Sequence, residues 1–203
     1  MCAQYGKADY WNERYTRDQQ PFEWFQRYSA LKPFIDAVIN KNGNILQVGV
    51  GTSRLQEDMY DDGYRNITSI DISPVAIDLV KKRAEDRREL RFEVGDVLEL
   101  GRQGEGIYDA VIDKGTMDSI LCGDGSYANV QKMLSGISKV LRPGGVFFAV
   151  SYGTSQNRLA YLQASEYNWS VSVNTLPKPQ VGVVLQSASD GQEVHYIYTC
   201  TKN

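Results

Sequence analysis

The chain has 203 residues, of which 42% are apolar and 23% charged, the size and make-up of one ordinary globular domain with a full core. A net charge of −3 at pH 7 argues against a nucleic-acid surface and suits a basic protein partner. No apolar run reaches the length of a membrane span, and the polar N-terminus does not read as a signal peptide. His195 is the one histidine, which excludes His-based triads and multi-His metal sites. Cys2, Cys122 and Cys200 are an odd number without metal-ligand spacing, as expected of thiols in a reducing compartment. The expectation is a cytoplasmic, metal-free protein.

In chain order, residues 1–40 form an N-terminal segment, 44–153 a core and 154–203 a C-terminal part of a single domain. The opening segment carries Tyr10-Trp11-Asn12-Glu13-Arg14-Tyr15 and Phe22-Glu23-Trp24-Phe25, with six aromatics in a polar stretch. They read equally as a helix fastening the N-terminus to the core or as a lid over a ligand. Strands are expected at Asn44–Val48, Asn66–Asp71, Leu90–Val94, Tyr108–Asp113 and Val146–Ser151. Helical patterns lie between them. Arg54–Asp62 is ended by Gly63, Pro74–Arg87 has Ser73 as N-cap, and Val130–Leu141 stops at Arg142-Pro143-Gly144-Gly145. This alternation implies a parallel sheet covered on both faces. After Gly153 the pattern changes to a helix at Asn157–Ser165 and two alternating segments, Trp169–Thr175 and His195–Thr201, which read as antiparallel strands. Val181–Ser187 reads either as an extra strand or as part of a long hairpin loop.

The chemistry concentrates at Ile45-Leu46-Gln47-Val48-Gly49-Val50-Gly51-Thr52-Ser53, a buried strand entering a glycine turn and a helix. Asp71 closes the next apolar run, 20 residues after Gly51, the distance that one helix and a returning parallel strand require. Gly49 and Gly51 permit close backbone approach to a ligand, and the Asp71 carboxylate can accept from two ribose hydroxyls. A nicotinamide fingerprint needs a third glycine where Arg54 stands, whereas a glycine-x-glycine-x-small turn fits Gly49, Gly51 and Ser53. Ser53-Arg54-Leu55-Gln56 also reads as a capping box. The expected ligand is an adenosine-type cofactor, and the C-terminal antiparallel hairpin favours the methyltransferase topology over the nicotinamide one.

The two aromatic motifs, the Gly49/Gly51 turn, Asp71-Ile72-Ser73 and Asp113-Lys114-Gly115-Thr116-Met117-Asp118 occur in that order. Together they resemble the seven-strand methyltransferases that act on lysines of translation elongation factor 1-alpha. The likeness is closest to the group of the small methyltransferase once confused with endothelin-converting enzyme 2 and the N-terminal domain of its larger relative. It runs from about Tyr10 to Thr201, and Asp-Lys-Gly-Thr-Met-Asp is its most specific element. The resemblance implies a Rossmann-like α/β fold of the class I type, a seven-stranded mostly parallel sheet with helices on both faces, and S-adenosyl-L-methionine as cofactor. It implies that Trp11, Tyr15 and Trp24 touch this cofactor, that Gly49 lies against its methionine part, and that Asp71 with Ile72 holds ribose and adenine. Asp96 would accept the adenine amino group, Val97 would support the ring, and Lys114 would meet the cofactor near the transferring methyl. Gln47 stands where many class I methyltransferases carry an acid, and Val50 and Thr52 replace the cysteine and asparagine common in the group's turn.

Methyl transfer to an amine is an in-line displacement in which the protein positions the nucleophile and excludes water. A lysine must first lose its proton, and burial favours the neutral amine. Asp113 is the candidate catalytic residue and shares with Asp118 a candidate role in orienting the amine. Lys114 and Thr116 would shape the pocket mouth. The bland readings are a strand-end ion pair for Asp113 and Lys114, a turn for Asp96, a structural role for His195, and core packing for Phe147, Phe148 and Tyr152. The leading expectation is lysine N-methylation of elongation factor 1-alpha. The alternatives are methylation of a small thiol or amine, and a non-catalytic cofactor-binding partner protein.

Overall fold

The computed structural model describes residues 4–179 and 193–203. Two helices precede the sheet: α1 (Ala8–Arg17) and α2 (Tyr28–Val38). The core then alternates β1 (Ile45–Val48), α3 (Leu55–Asp61), β2 (Ile67–Asp71), α4 (Pro74–Arg83), β3 (Leu90–Val94), β4 (Tyr108–Lys114), α5 (Thr116–Leu121), α6 (Ser126–Val140) and β5 (Leu141–Ser151). It ends with α7 (Ser155–Leu162) and the strands β6 (Trp169–Pro177) and β7 (Val194–Lys202). The seven strands form one sheet in the order β3-β2-β1-β4-β5-β7-β6. β1 through β5 are parallel, while β7 runs antiparallel between β5 and β6.

The near-continuous apolar strands are explained by burial on both faces. Neighbouring residues of β5 serve opposite layers: Phe147 packs with Val111, Leu134 and Ile137, while Phe148 packs with Ile112, Leu31 and Ile35. Both phenylalanines are core residues, as expected. Side chains of this size contribute roughly 1.5–3 kcal/mol apiece when fully buried. Strand order reverses between β1 and β4, and in open α/β sheets the crevice at such a point, beyond the strands' C-terminal ends, is where ligands bind. Gly49, Asp71 and Lys114 all stand at those ends.

The boundaries differ from expectation in a few places. α4 ends at Arg83, and Ala84 leaves the helical track. β5 begins at Leu141, because the chain leaves α6 already extended and Leu141 pairs with Tyr108 before the register shifts. Ser73 caps α4 as expected, accepting from the Ala76 amide at 3.2 Å. Val181–Ser187 lies outside the described residues.

Candidate active site

The glycine turn after β1 is built so that no side chain fits inside it. Gly49 (φ +60°) faces Thr116 closely enough that an added Cβ would collide with the threonine side chain. Thr116 is itself seated by donating to the Val48 carbonyl at 3.0 Å. Gly51 (φ +52°) would bring a Cβ to 2.8 Å from the Tyr15 hydroxyl. A left-handed backbone with a neighbour that close admits glycine and little else. Arg83 of α4 braces the same loop from outside, donating to the Thr52 and Ser53 carbonyls and pairing with the buried Glu57 at 2.9 Å.

Asp71, at the end of β2, is 6% exposed. Its Oδ2 accepts from the Gly51 amide and its Oδ1 from the Ser73 amide, both at 2.8 Å. Burial pushes its carboxyl pKa up, and the two amides oppose the shift. Each carboxylate oxygen keeps further acceptor capacity, so the same group that fixes the turn can still receive ligand hydroxyls. Asp96 satisfies its bland reading and a site position together. Its Oδ1 accepts from the Leu98 amide at 2.8 Å, starting a 3₁₀ turn at Val97–Arg102, while the residue lines the cavity beside Val97.

The N-terminal aromatics close the other side. Trp11 stacks on Tyr15 and on Tyr5, with ring centroids 5.6 and 5.5 Å apart, and its indole donates to the Tyr5 carbonyl. Trp24 meets Trp11 edge-on at 6.3 Å. α1 is pinned to the sheet side by the Ser73 hydroxyl, which donates to Asn12 Oδ1 at 2.6 Å.

These walls enclose a cavity of about 420 Å³. Trp11, Tyr15, Trp24, Gly49, Gly51, Asp71, Ile72, Asp96, Val97 and Lys114, the ten residues expected to touch the cofactor, all line it. The donor set suits an adenosylated amino acid: acidic acceptors on the β2 and β3 side, a glycine cradle in the middle and aromatic faces above. Gln47 also lines the cavity, and its Oε1 is buried without a hydrogen-bond partner among the described residues.

Asp113 is placed otherwise than expected. It does not line the cavity; its carboxylate is buried under α5 and accepts from the Thr116 and Met117 amides at 2.7 and 3.0 Å. Burial pushes its pKa up to about 7 against the pull of those amides. Asp113 is thus the cap of α5, a helix whose N-cap residue Gly115 (φ +91°) has no side chain to do that work. Asp118 does line the cavity but is occupied. Its oxygens accept from the Ser151 hydroxyl, the Tyr152 amide and Arg158, the guanidinium lying at 2.8 Å.

Three other readings change. The capping box at Ser53 does not form: Gln56 donates to the Ser53 carbonyl, and the Ser53 hydroxyl accepts from the Leu55 amide. The start of α3 is held instead by Glu23, whose carboxylate accepts from the Ser53 hydroxyl and the Arg54 amide. Lys114 is buried and paired, not with Asp113, but with Glu23 at 2.9 Å. Tyr152 is not a core residue; it is 51% exposed, lines the cavity and lies 6.1 Å from the Phe25 ring. It follows β5, so the apolar run that announced the strand also masked the point where the chain leaves the core.

His195 keeps its structural role. It is buried on β7, and burial lowers its pKa. Gln26 Nε2 donates to the Pro177 carbonyl at 2.7 Å and to His195 Nδ1 at 3.1 Å, so the imidazole is the acceptor of that contact.

Comparison with known proteins agrees with this geometry. A family profile described as "Methyltransferase domain" matches residues 39–201. Mouse "EEF1A lysine methyltransferase 4" is 31% identical over 182 residues, covering 85% of this chain and 71% of the relative. Zebrafish "eEF1A lysine and N-terminal methyltransferase" is 31% identical over 206 residues, covering 99% of this chain but only 29% of that longer protein. Among solved structures, the N-methyltransferase NodS of Bradyrhizobium japonicum in complex with S-adenosyl-l-homocysteine superposes with a TM-score of 0.68 at 12% identity, over 97% of this chain and 98% of that one. That last likeness is one of fold. The chain belongs to the methyltransferase domain family and is an S-adenosyl-L-methionine-dependent enzyme of the seven-strand class.

Proposed function

We propose that the protein N-methylates a lysine side chain of elongation factor 1-alpha in the cytoplasm. The observation that supports this most is the 31% identity to mouse EEF1A lysine methyltransferase 4 across 85% of the chain, in a protein whose motif residues converge on one cavity. The described residues contain no helix long and apolar enough to cross a membrane.

In this reading the ten cavity residues named above hold the cofactor. Asp71 and Asp96 receive the hydroxyls and amino group of the adenosine part, and the Gly49/Gly51 turn gives its backbone to the amino-acid part. The part of the N-terminal segment ahead of α2 acts as a lid, with Trp11, Tyr15 and Trp24 excluding water. The bound cofactor supplies the electrophilic methyl group; the chain's own part is to present a neutral amine in line with it. Phe25 and Tyr152 line the open side, and this aromatic mouth desolvates the incoming amine and so favours its neutral form. Asp113 acts through α5: by holding the Thr116 and Met117 amides it fixes Lys114, Gly115 and Thr116 at the end of β4. It is therefore a positioning residue, and proton acceptance falls to solvent at the mouth.

Incubating the protein with tritiated S-adenosyl-L-methionine and a eukaryotic cell lysate tests the reading. A labelled band at the size of elongation factor 1-alpha is expected. Label confined to small molecules, or no label, would overturn it.

A further inference from the structure

Lys114 presents a problem that the fold has to solve. It is a cation with a side chain only 4% exposed, in the wall of a cavity that takes a cofactor carrying a positively charged sulfonium. Like charges in a low-dielectric pocket repel far more than in water. Burial accordingly pulls the Lys114 pKa down, and the Glu23 carboxylate is the largest influence pushing it back up. Lys114 Nζ donates to Glu23 Oε2 and to the Trp24 carbonyl, each at 2.9 Å. The Glu23 side chain is itself only 18% exposed and is held by the Ser53 hydroxyl and the Arg54 amide, next to the glycine turn. Of the other charges near the cavity, Lys7 lines it from the N-terminal segment, and Asp113 lies next to Lys114 in the chain with its carboxylate held by the Thr116 and Met117 amides. Asp118 is paired with Arg158, and Asp71 and Asp96 stand at the ends of β2 and β3.

We propose that Glu23 is the counter-charge of the cofactor pocket. By pairing with Lys114 it makes that wall electrically neutral, so the site accepts the sulfonium donor instead of preferring the uncharged product. Glu23 is thus a positioning residue that sets discrimination between S-adenosyl-L-methionine and S-adenosyl-L-homocysteine, and it reaches the site from the N-terminal segment rather than from the sheet. The inference rests on the assignment of the cofactor.

Calorimetric titration of the protein with each cofactor form separates this from a purely mechanical role. Glu23→Gln keeps the size and the acceptor oxygen that ties the segment to α3, but leaves the Lys114 charge unmatched. It should weaken S-adenosyl-L-methionine by at least about tenfold more than S-adenosyl-L-homocysteine, the scale of one unscreened charge contact. The excess loss should shrink as pH rises and Lys114 gives up its proton. Lys114→Met, which leaves the carboxylate unmatched instead, should shift the ratio in the opposite direction, and the double variant should return it to the parental value. That pair of variants keeps the test open should Glu23→Gln fail to fold. An equal loss for both ligands in Glu23→Gln, with no shift in Lys114→Met, would overturn the proposal and leave Glu23 as a clip. A parent protein that binds neither ligand would overturn the cofactor assignment itself, and the proposal with it.

Discussion

Replacing Asp113 with asparagine separates a chemical role from a structural one. In the parent, both carboxylate oxygens accept from amides at the start of α5, Thr116 at 2.7 Å and Met117 at 3.0 Å. Asparagine keeps one acceptor and turns an NH₂ group toward the second amide. The loss of a charge-assisted cap costs about 1–2 kcal/mol, and a buried amide left without an acceptor costs about 1–3 kcal/mol more. A total of roughly 2–5 kcal/mol lowers Tm by about 4–20 °C for a chain of this length. Scanning calorimetry reads this directly. Methyl transfer should fall as well, because α5 carries Thr116, which seats the Gly49 turn. The loss should be partly recovered by saturating cofactor, since a ligand that binds only the folded state stabilises it. A variant that melts with the parent yet transfers methyl groups at least tenfold more slowly would refute this reasoning and return Asp113 to direct chemistry.

Further outcomes follow from the same geometry. Asp71→Ala should weaken S-adenosyl-L-methionine by about 2–4 kcal/mol in calorimetry, since it removes a charged acceptor and releases the Gly51 and Ser73 amides; unchanged affinity would refute the fingerprint. Gly51→Ala should place a methyl group against the Tyr15 hydroxyl and reduce cofactor affinity measurably, whereas a parental titration would show that Tyr15 is no wall of the site. Deleting residues 1–25 should leave a folded core whose melting temperature S-adenosyl-L-homocysteine no longer raises; normal ligand stabilisation of the truncated chain would make the segment a fastener rather than a lid. His195 has a folded pKa lowered by burial, so the unfolded chain takes up its proton first as pH falls. The stability it contributes is present above its ordinary value of about 6.5 and lost below it. Melts from pH 7.5 to 5 should therefore fall more steeply in the parent than in His195→Asn, and parallel curves would contradict the assigned acceptor role.

The middle of the sheet is legible because β1, β2, β4 and most of β5 are buried on both faces, and because the helices between them are punctuated in the sequence. Ser73-Pro74 opens α4 and Gly63 follows α3, so propensity and tertiary structure agreed. The turn at Gly49 and Gly51 and the acid at Asp71 were legible because the backbone geometry of a cofactor cradle restricts residue type. What escaped depends on contacts between residues far apart in sequence. Glu23 holds the start of a helix that begins at Leu55 and pairs with Lys114 a further stretch along; nothing local to Phe22-Glu23-Trp24-Phe25 announces either partner. The same holds for the cap of α5. Asp113 sits two residues before the Gly115 N-cap, outside the Ser/Thr/Asx N-cap pattern, so it read as a strand-end acid available for chemistry. Tyr152 reads as core because it follows the apolar run Val146–Val150 of β5 by only one intervening residue, Ser151, where the strand ends. The Ser53-to-Gln56 spacing matched a capping box, yet a stronger acceptor from another part of the chain reached the helix start first.

The central claim, that this chain methylates a lysine of elongation factor 1-alpha, is tested most directly by peptide mass spectrometry of the purified factor after incubation with the protein and S-adenosyl-L-methionine. The expected result is a methyl group on the ε-nitrogen of a lysine, absent when the cofactor is omitted. A methyl group on any other residue type, or an unmodified factor in the presence of cofactor-loaded protein, would contradict it.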